Sequence, residues 1–89
     1  MRIHFDPHKD RLNLRNHGIS LRAAEQLEWD SFISTEDQRF DYGEQRMIGF
    51  GYIGLTLYCL VYVEYDDEHW RAISLRRATR QETQAYANA

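Results

Sequence analysis

Trp70-Arg71-Ala72-Ile73-Ser74-Leu75-Arg76-Arg77-Ala78-Thr79-Arg80-Gln81-Glu82-Thr83-Gln84-Ala85-Tyr86 decides how this chain folds. Ile73 and Leu75 alternate with Ala72, Ser74 and Arg76, the period of a half-buried strand. Thr79 followed three residues later by Glu82 is a capping box, so a helix begins there. A strand therefore feeds directly into a short helix, with Arg76 and Arg77 at the joint. Free backbone N–H groups beside two guanidinium forks suit an anion. The plainer reading is two solvated surface arginines.

Upstream, Leu55–Tyr65 is the longest strand expected. Leu55, Leu57, Cys59, Val61 and Val63 share one face, which reads as the face packed on helices. Thr56, Tyr58, Leu60, Tyr62 and Glu64 share the other, which reads as half-exposed. Gly54 supplies the turn before it, and Gln45–Phe50 and Phe32–Thr35 read as two further strands. Glu36–Gly43 reads as a polar loop and Asp66-Asp67-Glu68 as an acidic turn. Short turns make these C-terminal strands antiparallel neighbours.

The N-terminal third is different in kind. Arg2–Phe5 is a short strand. Asp6-Pro7 is a helix start, with Asp as N-cap and Pro at the first helical position. That helix runs over 7–16 with a thin apolar stripe, Leu12 and Leu14, and Gly18 ends it in the left-handed position. Ser20 caps a second helix over 20–29, whose buried side is Leu21, Ala24 and Leu27. The order implies an α+β domain spanning 1–89. Two N-terminal helices and one C-terminal helix lie on an antiparallel sheet, with one face left partly open.

Eighty-nine residues suffice for one modest core. The lone cysteine, Cys59, excludes an internal disulfide and fits a reducing cytoplasm. The polar start carries no signal-peptide pattern, and no apolar run is long enough for a membrane span. The net charge of −3 is unevenly distributed. Residues 1–22 carry five basic against two acidic side chains, 71–89 four against one, and 23–70 two against eleven. Where the two basic ends meet, an acidic molecule acquires a basic face able to bind phosphate. The acidic middle is equally suited to a basic protein partner. No zinc-type Cys/His spacing, nucleophile elbow or glycine-rich phosphate loop is present.

Several motifs together resemble the BrnT family of bacterial type II toxins. They are Lys9-x-x-x-Asn13-x-x-x-His17-Gly18-Ile19-Ser20 near the start, Gly43-Glu44-x-Arg46 in the middle, and Arg71-x-Ile73-Ser74-x-Arg76-x-Ala78-Thr79 with Glu82 and Tyr86 at the end. The resemblance covers nearly the whole chain. It implies a RelE-like α+β fold and a ribonuclease that arrests growth by inhibiting translation. It also implies a cognate antitoxin, BrnA-like and of ribbon-helix-helix type, which forms a hetero-oligomer with the toxin and contacts operator DNA itself. Neither a cofactor nor a metal is expected.

Metal-free RNA cleavage needs a base for the 2′-OH, cations for the phosphorane and an acid for the leaving oxygen. Arg76 and Arg46 are the candidate cations, and Lys9, Arg71 and Arg77 the candidate RNA-binding residues. His17 is the candidate acid–base, since histidine titrates near neutrality; its plainer role is to cap a helix end. Glu44 is the alternative base, as is Glu64, and each could equally serve as a salt-bridge partner. Tyr58 and Tyr62 are candidates for base stacking. The competing reading is a non-catalytic RelE-like module that binds a protein or nucleic acid without cutting it.

Overall fold

The computed structural model describes residues 1–89. Its centre is a five-stranded sheet in the order β1-β5-β4-β3-β2. The strands are β1 (Arg2–His4), β2 (Ile33–Asp37), β3 (Arg46–Ile53), β4 (Thr56–Glu64) and β5 (His69–Arg77). β2 through β5 form the expected antiparallel meander. β1 adds itself in parallel to β5, pairing Ile3 with Trp70. Gly54, at φ +62°, makes the two-residue turn between β3 and β4.

Helix α1 spans Pro7–His17 and α2 spans Arg80–Ala87. Asp6 caps α1 by accepting from the His8 N–H, and Gly18 ends it at φ +72°. Thr79 and Glu82 complete the capping box of α2 in both directions.

The second N-terminal helix is not α-helical. Leu21–Gln26 and Trp29–Ser31 are 3₁₀ turns. Leu21, Ala24 and Leu27 are buried as expected. Their spacing of three is the 3₁₀ repeat, which stacks side chains directly above one another.

The assignment of sheet faces is reversed on β4. The main core joins Ile3, Leu21, Ala24, Leu27, Leu60, Tyr62, Ala72 and Leu75, so Leu60 and Tyr62 face the N-terminal segments. Leu57, Cys59 and Val61 point to the opposite side, yet they too are buried. α2 lies against that side over β4, while Ile33, Ile48 and Phe50 on β2 and β3 line a groove beside the helix that stays partly open. Tyr86 packs on Tyr52 and donates a hydrogen bond to the Ser31 carbonyl. The Ala78 N–H also donates to the Leu57 carbonyl. Burial at this second face pushes the Cys59 thiol up to about 11.

A bulge explains why strict alternation fails on β5. Val61 pairs with Ser74 but Tyr62 pairs with Ala72, which leaves Ile73 as the extra residue. Ala72 and Leu75 thus both reach the core, and Arg71 moves to the same face as Ser74 and Arg76. On β3 the core side carries glycines for want of space. A Cβ at Gly49 would stand 2.1 Å from Phe32 Cζ, and one at Gly51 2.9 Å from its Cδ1. The Phe32 ring lies over both and joins an aromatic cluster with Trp29, Tyr62 and Trp70.

Candidate functional site

α1 does not dock through leucines. Leu14 is exposed, and the one buried residue of the helix is Asn13. Asn13 closes two hydrogen bonds on the β5 backbone: Nδ2 donates to the Leu75 carbonyl at 2.8 Å, and Oδ1 accepts from the Leu75 N–H at 3.0 Å. Nδ2 also donates to the Ile19 carbonyl at 2.9 Å. The side chain thus satisfies sheet-edge groups where β1 has ended. Lys9 and His17 lie four residues either side of Asn13, so one helical face presents all three. The polar stripe Lys9–Asn13–His17, which left α1 short of apolar residues, is the stripe turned toward β5.

Two adjoining clefts, each about 240 Å³, lie along this seam. The first is walled by Lys9, Arg46, Arg71 and the bulge at Ile73, with Asp6 at its rim. The second holds His17 and Asn16 opposite Ile73 and Ser74, and shares Lys9 with the first. Cations from α1, β3 and β5 therefore converge, and the bulge is what brings Arg71 to them.

Glu44 sits among these cations. A single carboxylate oxygen accepts from Arg71 Nη2 at 2.7 Å and from Arg46 Nε at 3.2 Å. The Arg71 hydrogen bond, then that of Arg46, holds the Glu44 carboxyl below its usual range. Partial burial works against the Arg71 charge, but the hydrogen bonds and charges of Glu44 and then Tyr65 together hold it in its charged form. The Arg46 guanidinium also lies over the Tyr42 ring, 4.2 Å from its centroid.

The loop carrying Tyr42 and Glu44 is anchored from below. Asp37 is buried and grips Arg39 through two 2.8 Å hydrogen bonds. It also accepts from the Tyr42 hydroxyl at 3.1 Å. The Arg39 fork is the main reason its carboxyl lies well below the usual range. Asp37, Tyr42 and the bracing role of Asn13 had escaped the sequence reading. A tyrosine two residues before the Glu44-x-Arg46 motif was the available signal.

Of the residues singled out from sequence, Lys9, Arg46, Arg71 and Glu44 come together, with His17 in the adjoining cleft. Arg76 and Arg77 stand apart from them. Arg76 forms a fork on Glu82, at 2.8 and 3.0 Å, while Glu82 also accepts from the Thr79 N–H at 2.8 Å. The anion at this helix N-terminus is the chain's own carboxylate, its pKa lowered to about 2 chiefly by Arg76. Arg77 is exposed and pairs in register with Tyr58, on the core side of the sheet. Tyr62 is fully buried and stacked on Trp70 at 4.0 Å, out of reach of a base. Glu64 is exposed at the C-terminal end of β4, one residue after the partner of Arg71 but on the other face of the sheet, opposite Trp70. No group of three or more His, Cys, Asp or Glu side chains is gathered to hold a metal ion.

A mostly antiparallel sheet, with a cation-lined cleft where a helix seals its edge, defines a small α+β protein. Residues 5–82 match the family model described as the ribonuclease toxin BrnT of type II toxin–antitoxin systems, and the chain belongs to that family. The fold agrees with the crystal structure of the ribonuclease toxin BrnT of Brucella abortus, at a TM-score of 0.63 and 22% identity. That likeness covers 90% of this chain and 99% of the other. No match is found among curated proteins. No helix is long and apolar enough to cross a membrane.

Proposed function

We propose that this BrnT-family chain cleaves RNA without a metal ion, at the seam between α1 and β5. The observation that carries this is the convergence of Lys9, Arg46 and Arg71 beside His17. A phosphodiester entering the first cleft displaces Glu44 from the two arginines. Arg46 and Arg71 then bind its non-bridging oxygens and stabilise the phosphorane, where charge develops. Lys9 neutralises the same or the next phosphate as a mobile point charge.

His17 is the preferred proton-transfer group, because Glu44 bound by two arginines is a weak base. Once released from them, Glu44 becomes available as the partner acid–base. Arg76 takes part only if Glu82 lets it go, and Arg77 serves as a peripheral phosphate contact. The cut halts translation and growth in the cytoplasm. A cognate BrnA-like antitoxin of ribbon-helix-helix type neutralises the toxin in a hetero-oligomer and carries the contact with operator DNA.

The test is cleavage of a long RNA by the purified chain in excess chelator, with the wild type beside His17→Ala and Arg46→Ala/Arg71→Ala. Cleavage that leaves 2′,3′-cyclic phosphate ends and is lost in both variants supports the reading. Cleavage that needs added metal, or survives both variants, refutes it. Tight RNA binding without any cleavage favours the non-catalytic module.

A further inference from the structure

The loop after β2 ends in an aromatic side chain with little to cover it. Phe40 is 70% exposed, the most exposed aromatic among the chain's large apolar side chains left in solvent. Its ring meets Tyr42 edge-on, with centroids 5.9 Å apart at 73°. Tyr42 is fixed from two sides, by the Asp37 carboxylate at its hydroxyl and by the Arg46 guanidinium over its ring. The loop is therefore built: a buried carboxylate holds Arg39 and Tyr42, and Tyr42 braces Phe40. One face of Tyr42 is already taken by Arg46, so the free aromatic surface belongs to Phe40.

This surface continues the cationic cleft. From Phe40 the path runs through Tyr42 to Arg46, a wall of the cleft. Single-stranded nucleic acid is held by cations along its backbone and aromatic rings under its bases. Tyr58 and Tyr62, the aromatics expected from sequence to stack bases, lie on the core side of the sheet. Phe40, reached through Tyr42 and Arg46, is the more exposed of two rings near the cleft; the other, Tyr65, neighbours Arg71.

We propose that Phe40, braced by Tyr42, stacks on a nucleobase of the RNA strand whose phosphate lies at Arg46 and Arg71. The proposal rests on the RNA-cleaving reading above. It makes the 38–45 loop a determinant of which nucleotide sits beside the scissile phosphate. Stacking is tolerant of sequence, so the contact contributes affinity and positioning with a mild preference for larger bases.

The experiment measures binding of an uncleavable 2′-O-methyl oligonucleotide and of the same strand carrying abasic sites, by fluorescence anisotropy. Wild type, Phe40→Ala and Phe40→Trp are compared, after melting curves show that all three fold alike. The wild type is expected to bind the base-bearing strand about tenfold more tightly than the abasic one. Phe40→Ala is expected to lose that margin while binding the abasic strand as the wild type does, and Phe40→Trp to keep it. A wild type that binds both strands equally overturns the stacking proposal and leaves the RNA reading standing. A wild type that binds neither strand and cuts no RNA removes the reading and the proposal together. A Phe40→Ala variant that binds both strands normally but no longer co-purifies with the antitoxin of its operon makes the ring a protein contact, which also overturns the proposal.

Discussion

Two arginine–glutamate contacts on the same face of the sheet serve opposite ends. At α2, Arg76 and Glu82 form a closed fork with one charge on each side, and Glu82 also caps the helix. At the cleft, one oxygen of Glu44 is divided between Arg46 and Arg71, with Lys9 lining the same cavity. The first arrangement is electrically complete and joins a helix to a strand. The second leaves positive charge in excess around one carboxylate, the excess that the proposed phosphate would neutralise. Residue type does not separate a latch from a site; stoichiometry and bond count do.

The largest effect expected from this contrast is on cleavage. Arg46→Ala/Arg71→Ala should lower the rate by about a hundredfold or more, as removal of oxyanion donors does, while melting temperature changes little. Arg76→Ala should do the reverse, lowering the melting temperature first. If Arg76→Ala abolishes cleavage in a protein that melts like the wild type, the division into latch and site is broken.

Glu82→Gln tests the latch and should cost about 1–2 kcal/mol at neutral pH, through a weakened charged pair and cap. The folded protein lowers the pKa of Glu82 from 4.5 to about 2. Its contribution is therefore complete above pH 4.5 and is lost as pH falls toward 2. Denaturant titrations across that window should show a shallower acid loss for Glu82→Gln than for the wild type. Some acid dependence should persist in the variant, because Arg39 holds the Asp37 carboxyl low in the same sense.

Glu44→Gln should act in the opposite direction on binding. Removing the charge that occupies Arg46 and Arg71 should tighten association with an uncleavable oligonucleotide by about fivefold, a modest gain because the site is partly solvated. Weaker binding by this variant would mean that Glu44 organises the arginines rather than blocking them. The smallest effect is expected from Lys9→Ala, which should flatten the salt dependence of binding by about 0.7 in log–log slope, the share of one phosphate contact. The slope of Glu82→Gln should match that of the wild type.

Local chemistry was readable wherever a structure closes within a few residues. Asp6 with Pro7, Gly18, Gly54, and Thr79 with Glu82 each act where the sequence placed them, because caps and turns join neighbours along the chain. The succession of strands was readable for the same reason. That Lys9, Glu44, Arg46 and Arg71 meet while Arg76, expected beside Arg46, stands apart was not legible, since nothing in their spacing brings three separate elements together.

By itself, then, the sequence determined the α+β class, the antiparallel meander, both ends of α1 and the start of α2. Only the tertiary structure decided which side of each strand faces which layer. β4 is central and apolar on both sides, so periodicity could not say that Leu60 and Tyr62, rather than Cys59 and Val61, meet the N-terminal turns. The bulge at Ile73 is settled by pairing with β4, across a turn and a register that alternation does not encode. That one extra residue returns Arg71 to the face of Ser74 and Arg76, and Asn13 locks α1 against the same edge. Pairing between strands and the satisfaction of backbone groups at the sheet edge therefore fixed the position of the cationic cleft, because both depend on residues far apart in the chain.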